Sequence, residues 1–289
     1  MAMNAAQPII DTMIGFPLRD PNATYDFITR QTKDEESRHE LTMPAGYMFK
    51  DVPDHERIPD LDPVAVTLAE MDRHGITVGL VGVRSEEGGR AVAQHPDRFA
   101  GCLSVDPNQG MDAVREITRL HAEVGLRAVD VFPAGTFPQV AINDKKMYPI
   151  YAKCVELGLP IFVCAGIPGP RVPFGPQRVE YLDEVMFDFP ELVLVTRHGC
   201  EPWTELAVKL MLKWPNLYYS TSAFAPRYYP ADIVDYANSR GAHKIIYAGY
   251  YPMGLTLDRI MTELPSVPFK DEVWPQFLHD NAARVLGLG

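Results

Sequence analysis

A chain of 289 residues is long enough for one large α/β barrel or for two ordinary domains. Hydrophobic residues make up 46% of the chain and charged residues 22%, a composition that excludes intrinsic disorder. The formal net charge of −11 argues against a nucleic-acid partner, because an acidic surface does not neutralise phosphates.

Eight short apolar runs alternate with amphipathic segments along the chain. Runs of this kind suit strands that are buried on both faces, as in a parallel sheet. In chain order the predicted strands are 8–15, 76–83, 98–105, 126–132, 159–165, 192–195, 216–222 and 244–249. The predicted helices are 63–74, 111–124, 145–157, 179–187, 204–213 and 230–239, with helical structure again over 271–286. Gly75, Gly125 and Gly158 follow predicted helices, at the position of a C-terminal cap.

This alternation predicts a (β/α)₈ TIM barrel that forms a single domain over residues 1–289. The competing fold is a doubly wound open sheet, which typically carries a glycine-rich phosphate turn after its first strand. Residues 11–18 have no such pattern. The barrel is therefore the favoured architecture.

A long insertion, residues 19–62, separates the first strand from the first predicted helix. It mixes charged residues with apolar ones such as Tyr25, Phe27 and Phe49, which need a surface to pack against. Loops of this length are usually lids or subunit contacts. We therefore expect a lid or an oligomer arm, and a homodimer or larger homo-oligomer.

The carboxyl end of the sixth strand carries the leading candidate for chemistry. His198 and Gly199 follow the strand, and Pro202 opens the next helical segment. Barrel enzymes place their catalytic residues at such strand-to-helix junctions, and an unperturbed histidine has a pKa near ~6.5. His198 is thus a candidate general acid or base, and a core histidine bonded to the backbone is the alternative.

Other polar residues fall at or near strand ends. Asp130 lies within the fourth strand, where a carboxylate needs an arginine, histidine or tyrosine partner. Tyr250 is a candidate hydrogen-bond donor to a developing oxyanion, with a packed aromatic as the alternative. Cys164 is a candidate substrate contact, and it is a nucleophile if it meets His198 or otherwise an inert buried thiol. The remaining candidates for substrate binding are Arg84, Arg171, Met13 and Trp203. Strand alternation predicts that Arg197, next to His198, points toward the helices.

Several motifs occur in series from the second strand to the C-terminus. They are His95–Gly101 with Val105–Pro107, Asn143-Asp144 with Tyr148-Pro149, Leu157–Pro160, His198-Gly199 with Pro202-Trp203, and Asn281–Gly287. The series resembles the amidohydrolase-related barrels, in the branch that includes aminocarboxymuconate-semialdehyde decarboxylase. The resemblance implies a barrel that hydrolyses, hydrates or decarboxylates small carboxylated or cyclic compounds, usually with a divalent metal.

The chain departs from that family pattern at the metal ligands. The family's first strand carries Asp-x-His-x-His, and here Asp11 is followed by Thr12, Met13, Ile14 and Gly15. Cys164 stands where the fifth strand usually ends in histidine, and Tyr250 stands in place of an aspartate after the eighth. His198 alone remains of the set. We expect no metal cofactor, and a rebuilt site of Asp11, Cys164 and His198 is the alternative.

These features predict a metal-independent enzyme that hydrolyses a small carboxylated, lactone or amide substrate, with His198 as general acid or base. One alternative is a decarboxylase, cyclase or hydratase of the same fold, in which Asp130 and Tyr250 handle protons. The other is a non-catalytic barrel that binds a ligand. The four cysteines show no CxxC spacing, residues 1–7 lack a basic leader, and no apolar run has membrane length. We therefore expect a cytoplasmic protein that binds no membrane.

Overall fold

The computed structural model describes residues 7–17, 26–40, 61–253 and 255–289. Eight parallel strands form one sheet in sequence order. They are β1 (Ile9–Asp11), β2 (Ile76–Gly82), β3 (Phe99–Ser104), β4 (Ala128–Val131), β5 (Ile161–Cys164), β6 (Leu194–Arg197), β7 (Leu217–Ser220) and β8 (Ile245–Ile246). Thr12, after β1, donates its backbone N–H and its hydroxyl to the carbonyl oxygen of Tyr247, after β8. These bonds join the first strand to the last, and the predicted TIM barrel is confirmed.

Helices follow the strands and cover the outside of the barrel. They are α1 (Pro63–His74), α2 (Glu86–Gln94), α3 (Met111–Val124), α4 (Tyr148–Leu157), α5 (Tyr181–Asp188), α6 (Thr204–Lys213), α7 (Ala231–Tyr236), α8 (Leu257–Glu263), α9 (Val273–Pro275) and α10 (Asn281–Leu286). Helix α2, which the sequence pattern did not predict, begins where the Ser85 hydroxyl accepts the N–H of Gly88. Among the described residues, no helix has both the length and the hydrophobicity that crossing a bilayer requires.

The apolar core has two layers. The inner layer lies inside the barrel and comes from alternate strand residues, among them Ile10, Leu80, Cys102, Phe162, Val195 and Ile246. The outer and larger layer lies between the strands and the helices. Helix α10 adds Ala282, Val285 and Leu286 to the inner layer, so apolar side chains close the end of the barrel where the strands begin. A functional site is therefore expected at the other end of the barrel, at the carboxyl ends of the strands.

Residues 26–40, part of the predicted insertion, lie against the carboxyl ends of β4 and β5. The ring of Phe27 meets Phe132, just after β4, edge to face at 6.4 Å between centroids. Arg171, in the loop after β5, forms ion pairs with Asp34 at 2.7 Å and Glu36 at 2.6 Å. Residues 18–25 and 41–60 lie outside the described ranges, and a lid or oligomer arm stays a prediction.

Candidate active site

Left-handed backbone marks the loops at the carboxyl ends of β6, β7 and β8. His198 has φ 63°, Cys200 has φ 58°, Ala223 has φ 74° and Tyr250 has φ 69°. Residues other than glycine rarely adopt this conformation, and such residues cluster at functional sites. This end of the barrel is therefore the candidate active site.

His198 and Tyr250, the two leading candidates from the sequence, come together there. Their ring centroids lie 5.3 Å apart, with the ring planes at 75°. The backbone N–H of Tyr250 donates to the carbonyl oxygen of Met13 at 2.8 Å, so the loop after β1 joins the same group. Three loops that are distant in sequence thus converge on one polar centre.

The prediction that Arg197 points toward the helices is wrong. Val195 and Arg197 are two residues apart on β6, so both side chains face the barrel interior. The alternation that placed His198 inside and Arg197 outside fails because His198 has left the extended conformation, with φ 63°. Both side chains consequently contribute to the polar centre.

Arg197 crosses the barrel and pairs with Asp130 on β4. Its Nη1 lies 3.2 Å from Asp130 Oδ2, with the two side chains only 8% and 15% exposed. Nη2 donates to the carbonyl oxygen of Thr12 at 3.3 Å, and Cζ lies 4.7 Å from the centroid of the Phe162 ring. The hydroxyl of Ser104 donates to Asp130 Oδ1 at 2.6 Å. We expected Asp130 to have an arginine, histidine or tyrosine partner, and that partner is Arg197.

The charge of Arg197 affects the imidazole beside it. Burial is the largest influence and disfavours the charged form of Arg197, but Asp130, Cys102 and Cys164 together raise the pKa of Arg197 above its usual value. Burial first, and then the charge of Arg197, lower the pKa of His198 to about 3. The imidazole is therefore neutral at physiological pH, and the ordinary pKa expected from the sequence does not apply in this environment.

Ser222, after β7, orients the imidazole of His198. Its hydroxyl oxygen accepts the backbone N–H of His198 at 3.1 Å and lies 3.3 Å from Nδ1. A hydroxyl that already accepts one bond still has its own proton to donate. Donation to Nδ1 leaves the proton of the neutral imidazole on Nε2, which makes Nε2–H the donor available to a ligand.

Cys164 lies opposite Arg197 in the register of β5 and β6. The thiol is buried, and burial raises its pKa to about 12. A thiol with this pKa stays protonated at neutral pH and is a poor nucleophile. Burial and the raised pKa of the thiol therefore favour the inert-thiol alternative. Burial also raises the pKa of Tyr250, which keeps that phenol protonated and able to donate.

Asp11 occupies a buried position between the loops after β1 and β8. Its Oδ1 accepts the backbone N–H groups of Met13 and Gly249, each at 2.9 Å. Among the described residues, its Oδ2 and the hydroxyl of Tyr247 have no hydrogen-bond partner. Burial raises the pKa of Asp11 to about 7 despite these bonds and the charge of Arg197.

Asp11 makes stability depend on pH in a defined direction. Because its folded-state pKa of about 7 exceeds the ordinary 3.8, the folded protein holds a proton that the unfolded chain releases. This stabilisation is present at low pH and is lost as pH rises through 7. Wild type loses this stabilisation between pH 5 and pH 8, and Asp11→Asn does not. The free energy of unfolding of Asp11→Asn minus that of wild type should therefore be about 2–3 kcal/mol larger at pH 8 than at pH 5. Urea unfolding at both pH values measures this difference.

The control for that experiment is Asp112→Asn, because Asp112 is an exposed carboxylate on α3 with 81% side-chain exposure. Its stability should follow wild type at both pH values. The depressed pKa of His198 gives stability an opposite slope below pH 6.5, but this slope is shared by wild type and both variants. Parallel pH profiles for Asp11→Asn and wild type would contradict a protonated Asp11.

The donor set does not fit the divalent metal that the family resemblance implies. A catalytic zinc site needs about three protein ligands with free lone pairs. The described residues contain no group of three or more histidine, cysteine, aspartate or glutamate side chains that could hold a metal ion. The alternative trio of Asp11, Cys164 and His198 is thus not assembled. Asp130 is committed to Arg197, whose positive charge repels a second cation.

The other predicted substrate contacts follow β2, β5 and β6, at the carboxyl ends of the strands. Arg84 donates to the carbonyl oxygen of Ser104 at 2.6 Å and to Glu116 on α3 at 2.7 Å. Arg171 is held by the carboxylates of the insertion. Trp203 packs its ring 5.6 Å from that of Phe174. All three side chains thus have protein partners, and their roles toward a substrate stay predictions.

Sequence reasoning missed Arg197, Ser222 and Thr12 as parts of the polar centre. The signal for Arg197 was present, since Val193, Val195 and Arg197 share one face of the strand, and Asp130 needed a partner. Ser222 contacts His198, 24 residues away in sequence, and Thr12 contacts Arg197, 185 residues away. Local patterns do not report such contacts.

Comparisons with known proteins agree with this architecture. An uncharacterised TIM-barrel protein from Bordetella bronchiseptica has TM-score 0.77 and 23% identity, over 97% of this chain and 98% of that one. The 5-carboxyvanillate decarboxylase from Sphingomonas paucimobilis has TM-score 0.66 and 17% identity, over 97% and 99%. The 4-oxalomesaconate hydratase from Rhodopseudomonas palustris has TM-score 0.59 and 18% identity, over 96% and 95%. These likenesses establish the fold alone.

Curated protein sequences give no significant match. An amidohydrolase family model, however, matches residues 39–288, which is most of the chain. The resemblance inferred from the motifs is thereby confirmed. The family consists of enzymes, which agrees with an enzyme at this site. The protein belongs to the amidohydrolase (Amidohydro_2) family.

Proposed function

We propose that the protein is a metal-independent, non-hydrolytic enzyme that decarboxylates or hydrates a small carboxylated compound. One observation carries the proposal. A neutral imidazole and a protonated phenol, those of His198 and Tyr250, lie 5.3 Å apart beside the buried Arg197–Asp130 pair. The centre thus offers neutral donors and a fixed positive charge at the end of the barrel where substrates bind.

These groups suit reactions in which negative charge develops next to a carboxylate. In decarboxylation, the bond to the carboxylate carbon breaks, its electron pair stays on the remaining carbon as carbon dioxide leaves, and a proton from solvent adds to that carbon. In hydration of a double bond conjugated to a carbonyl, the oxygen of a water bonds to the far carbon and loses a proton to solvent. The π electrons move onto the carbonyl oxygen, and a proton then adds to the carbon next to the carbonyl. Preorganised donors aimed at such charge lower the barrier. We assign this task to Nε2–H of His198 and the hydroxyl of Tyr250.

Hydrolysis, which the sequence favoured, has less support. It needs an activated water, as hydration does, and a histidine with a pKa of about 3 is a weak base at neutral pH. Decarboxylation needs no attacking water and is therefore the better supported of the two proposed reactions. Two of the structurally similar proteins are by name a decarboxylase and a hydratase, which supports the non-hydrolytic alternative. Asp130, in this proposal, fixes the guanidinium of Arg197 rather than transferring protons.

A chelation experiment tests the proposal. Purified protein is treated with EDTA and its zinc, manganese and iron are measured by mass spectrometry. It is then assayed for carbon dioxide release from hydroxybenzoates and for hydration of unsaturated dicarboxylates. We expect well below one metal ion per chain and turnover that chelation leaves unchanged. A stoichiometric metal bound through His198, or activity that only added metal restores, would overturn the proposal.

A further inference from the structure

The guanidinium of Arg197 is held by contacts in addition to its ion pair with Asp130. The Arg197 side chain is 8% exposed, its guanidinium reaches Asp130 on β4 and Thr12 after β1, and it stacks over Phe162 on β5. Three parts of the barrel wall besides its own strand therefore fix its position. Such a charge is preorganised, since binding a ligand costs little further side-chain entropy.

The guanidinium is also incompletely used by the protein. Arginine has five N–H donors. One on Nη1 faces Asp130 and one on Nη2 faces Thr12. Nε is buried and has no hydrogen-bond partner among the described residues. A buried charged donor without an acceptor is unfavourable, and such groups are usually satisfied by a partner, a water or a ligand.

The side chains around Arg197 favour an anionic ligand. His198 and Tyr250 are both neutral donors, and Cys164 is a protonated thiol. Asp130 is the carboxylate paired with Arg197, and Ser104 and Arg197 already bind it. A planar carboxylate matches the donor fork of a guanidinium.

We infer that Arg197 binds the substrate's carboxylate and acts as the fixed cation of the site, in the role that a divalent metal fills in a metal-dependent enzyme. Asp130, Thr12 and Phe162 position it. The inference rests on the proposed function in one respect, that the ligand is a small carboxylate. It is independent of the reaction that follows.

Benzoate and benzamide are suitable probes, because they have nearly the same shape and differ in charge. Titration calorimetry on EDTA-treated wild type should show benzoate binding at least about tenfold tighter than benzamide. In the double variant Arg197→Met/Asp130→Leu, which removes both charges, this preference should fall to about onefold. Arg127→Met, near the amino-terminal end of β4, should keep it. Circular dichroism verifies that each variant is folded.

Crystals of the wild type with 4-bromobenzoate give a test that needs no variant. The bromine anomalous signal locates the probe, and its carboxylate should lie within hydrogen-bond distance of Arg197. A carboxylate bound elsewhere overturns the inference, as does a wild type that shows no preference for benzoate. Binding that depends on Arg197 in a protein without lyase activity would refute the proposed reaction and keep this inference. Lyase activity in a protein that does not bind benzoate through Arg197 would refute this inference and keep the proposed reaction.

Discussion

Replacing Asp130 with alanine (Asp130→Ala) is expected to lower the free energy of unfolding by about 3–5 kcal/mol. The side chains of Arg197 and Asp130 are 8% and 15% exposed, so the variant leaves a guanidinium largely buried without its counter-ion. Ser104 loses its acceptor as well. The thermal midpoint should fall by about 10 °C, as measured by differential scanning calorimetry.

The double variant Arg197→Met/Asp130→Leu separates charge from packing. Replacing both partners of a buried ion pair with apolar residues of similar size is often close to neutral. We therefore expect it to recover most of the stability that Asp130→Ala loses. If both variants are equally unstable, shape rather than uncompensated charge explains the loss. If Asp130→Ala is as stable as wild type, Arg197 does not depend on Asp130.

Replacing His198 with asparagine (His198→Asn) is expected to lower kcat by about 10²–10⁴-fold while changing the thermal midpoint little. Asparagine tolerates the left-handed backbone at this position, where φ is 63°, better than most residues. Its side chain can still meet Ser222, but it is too short to present a donor where Nε2–H stands. Steady-state kinetics on the compound turned over by the wild type measure the loss.

His121→Asn is the matched control. His121 lies on α3, and its Nδ1 is 3.3 Å from the carbonyl oxygen of Leu126, before the start of β4. This is the opposite end of the barrel from His198, and kcat should stay at the wild-type value. Full activity in His198→Asn would instead show that His198 has no catalytic role, and would leave Tyr250 as the candidate donor.

Much of the barrel was predictable because its signals are local. Helices 63–74, 111–124 and 204–213 were predicted with the observed bounds. Gly75, Gly125 and Gly158 have φ of 70°, 65° and 65°, the left-handed geometry expected of helix caps. All eight strands lie within or close to the predicted apolar runs, although β8 is shorter, at Ile245–Ile246.

The polar centre was harder to predict because it depends on backbone conformation and long-range contacts. Alternation along β6 assumes an extended chain, and His198 turns left-handed just after the strand. Arg197 and His198 therefore both face the polar centre, and the expected outward direction of Arg197 was wrong. The low pKa of His198 comes from burial and from Arg197, and burial cannot be read from sequence spacing. Motif resemblance identified the position of His198 but not its protonation state.

The positive charge that Arg197 carries into the barrel is covalently part of the polypeptide. It is in place as soon as the chain has folded. If Arg197 is the cation of the site, as we infer, maturation of the site needs no loading step. It does not exchange with the surroundings. On that inference, a cell starved of trace elements would still make the site complete with its cation.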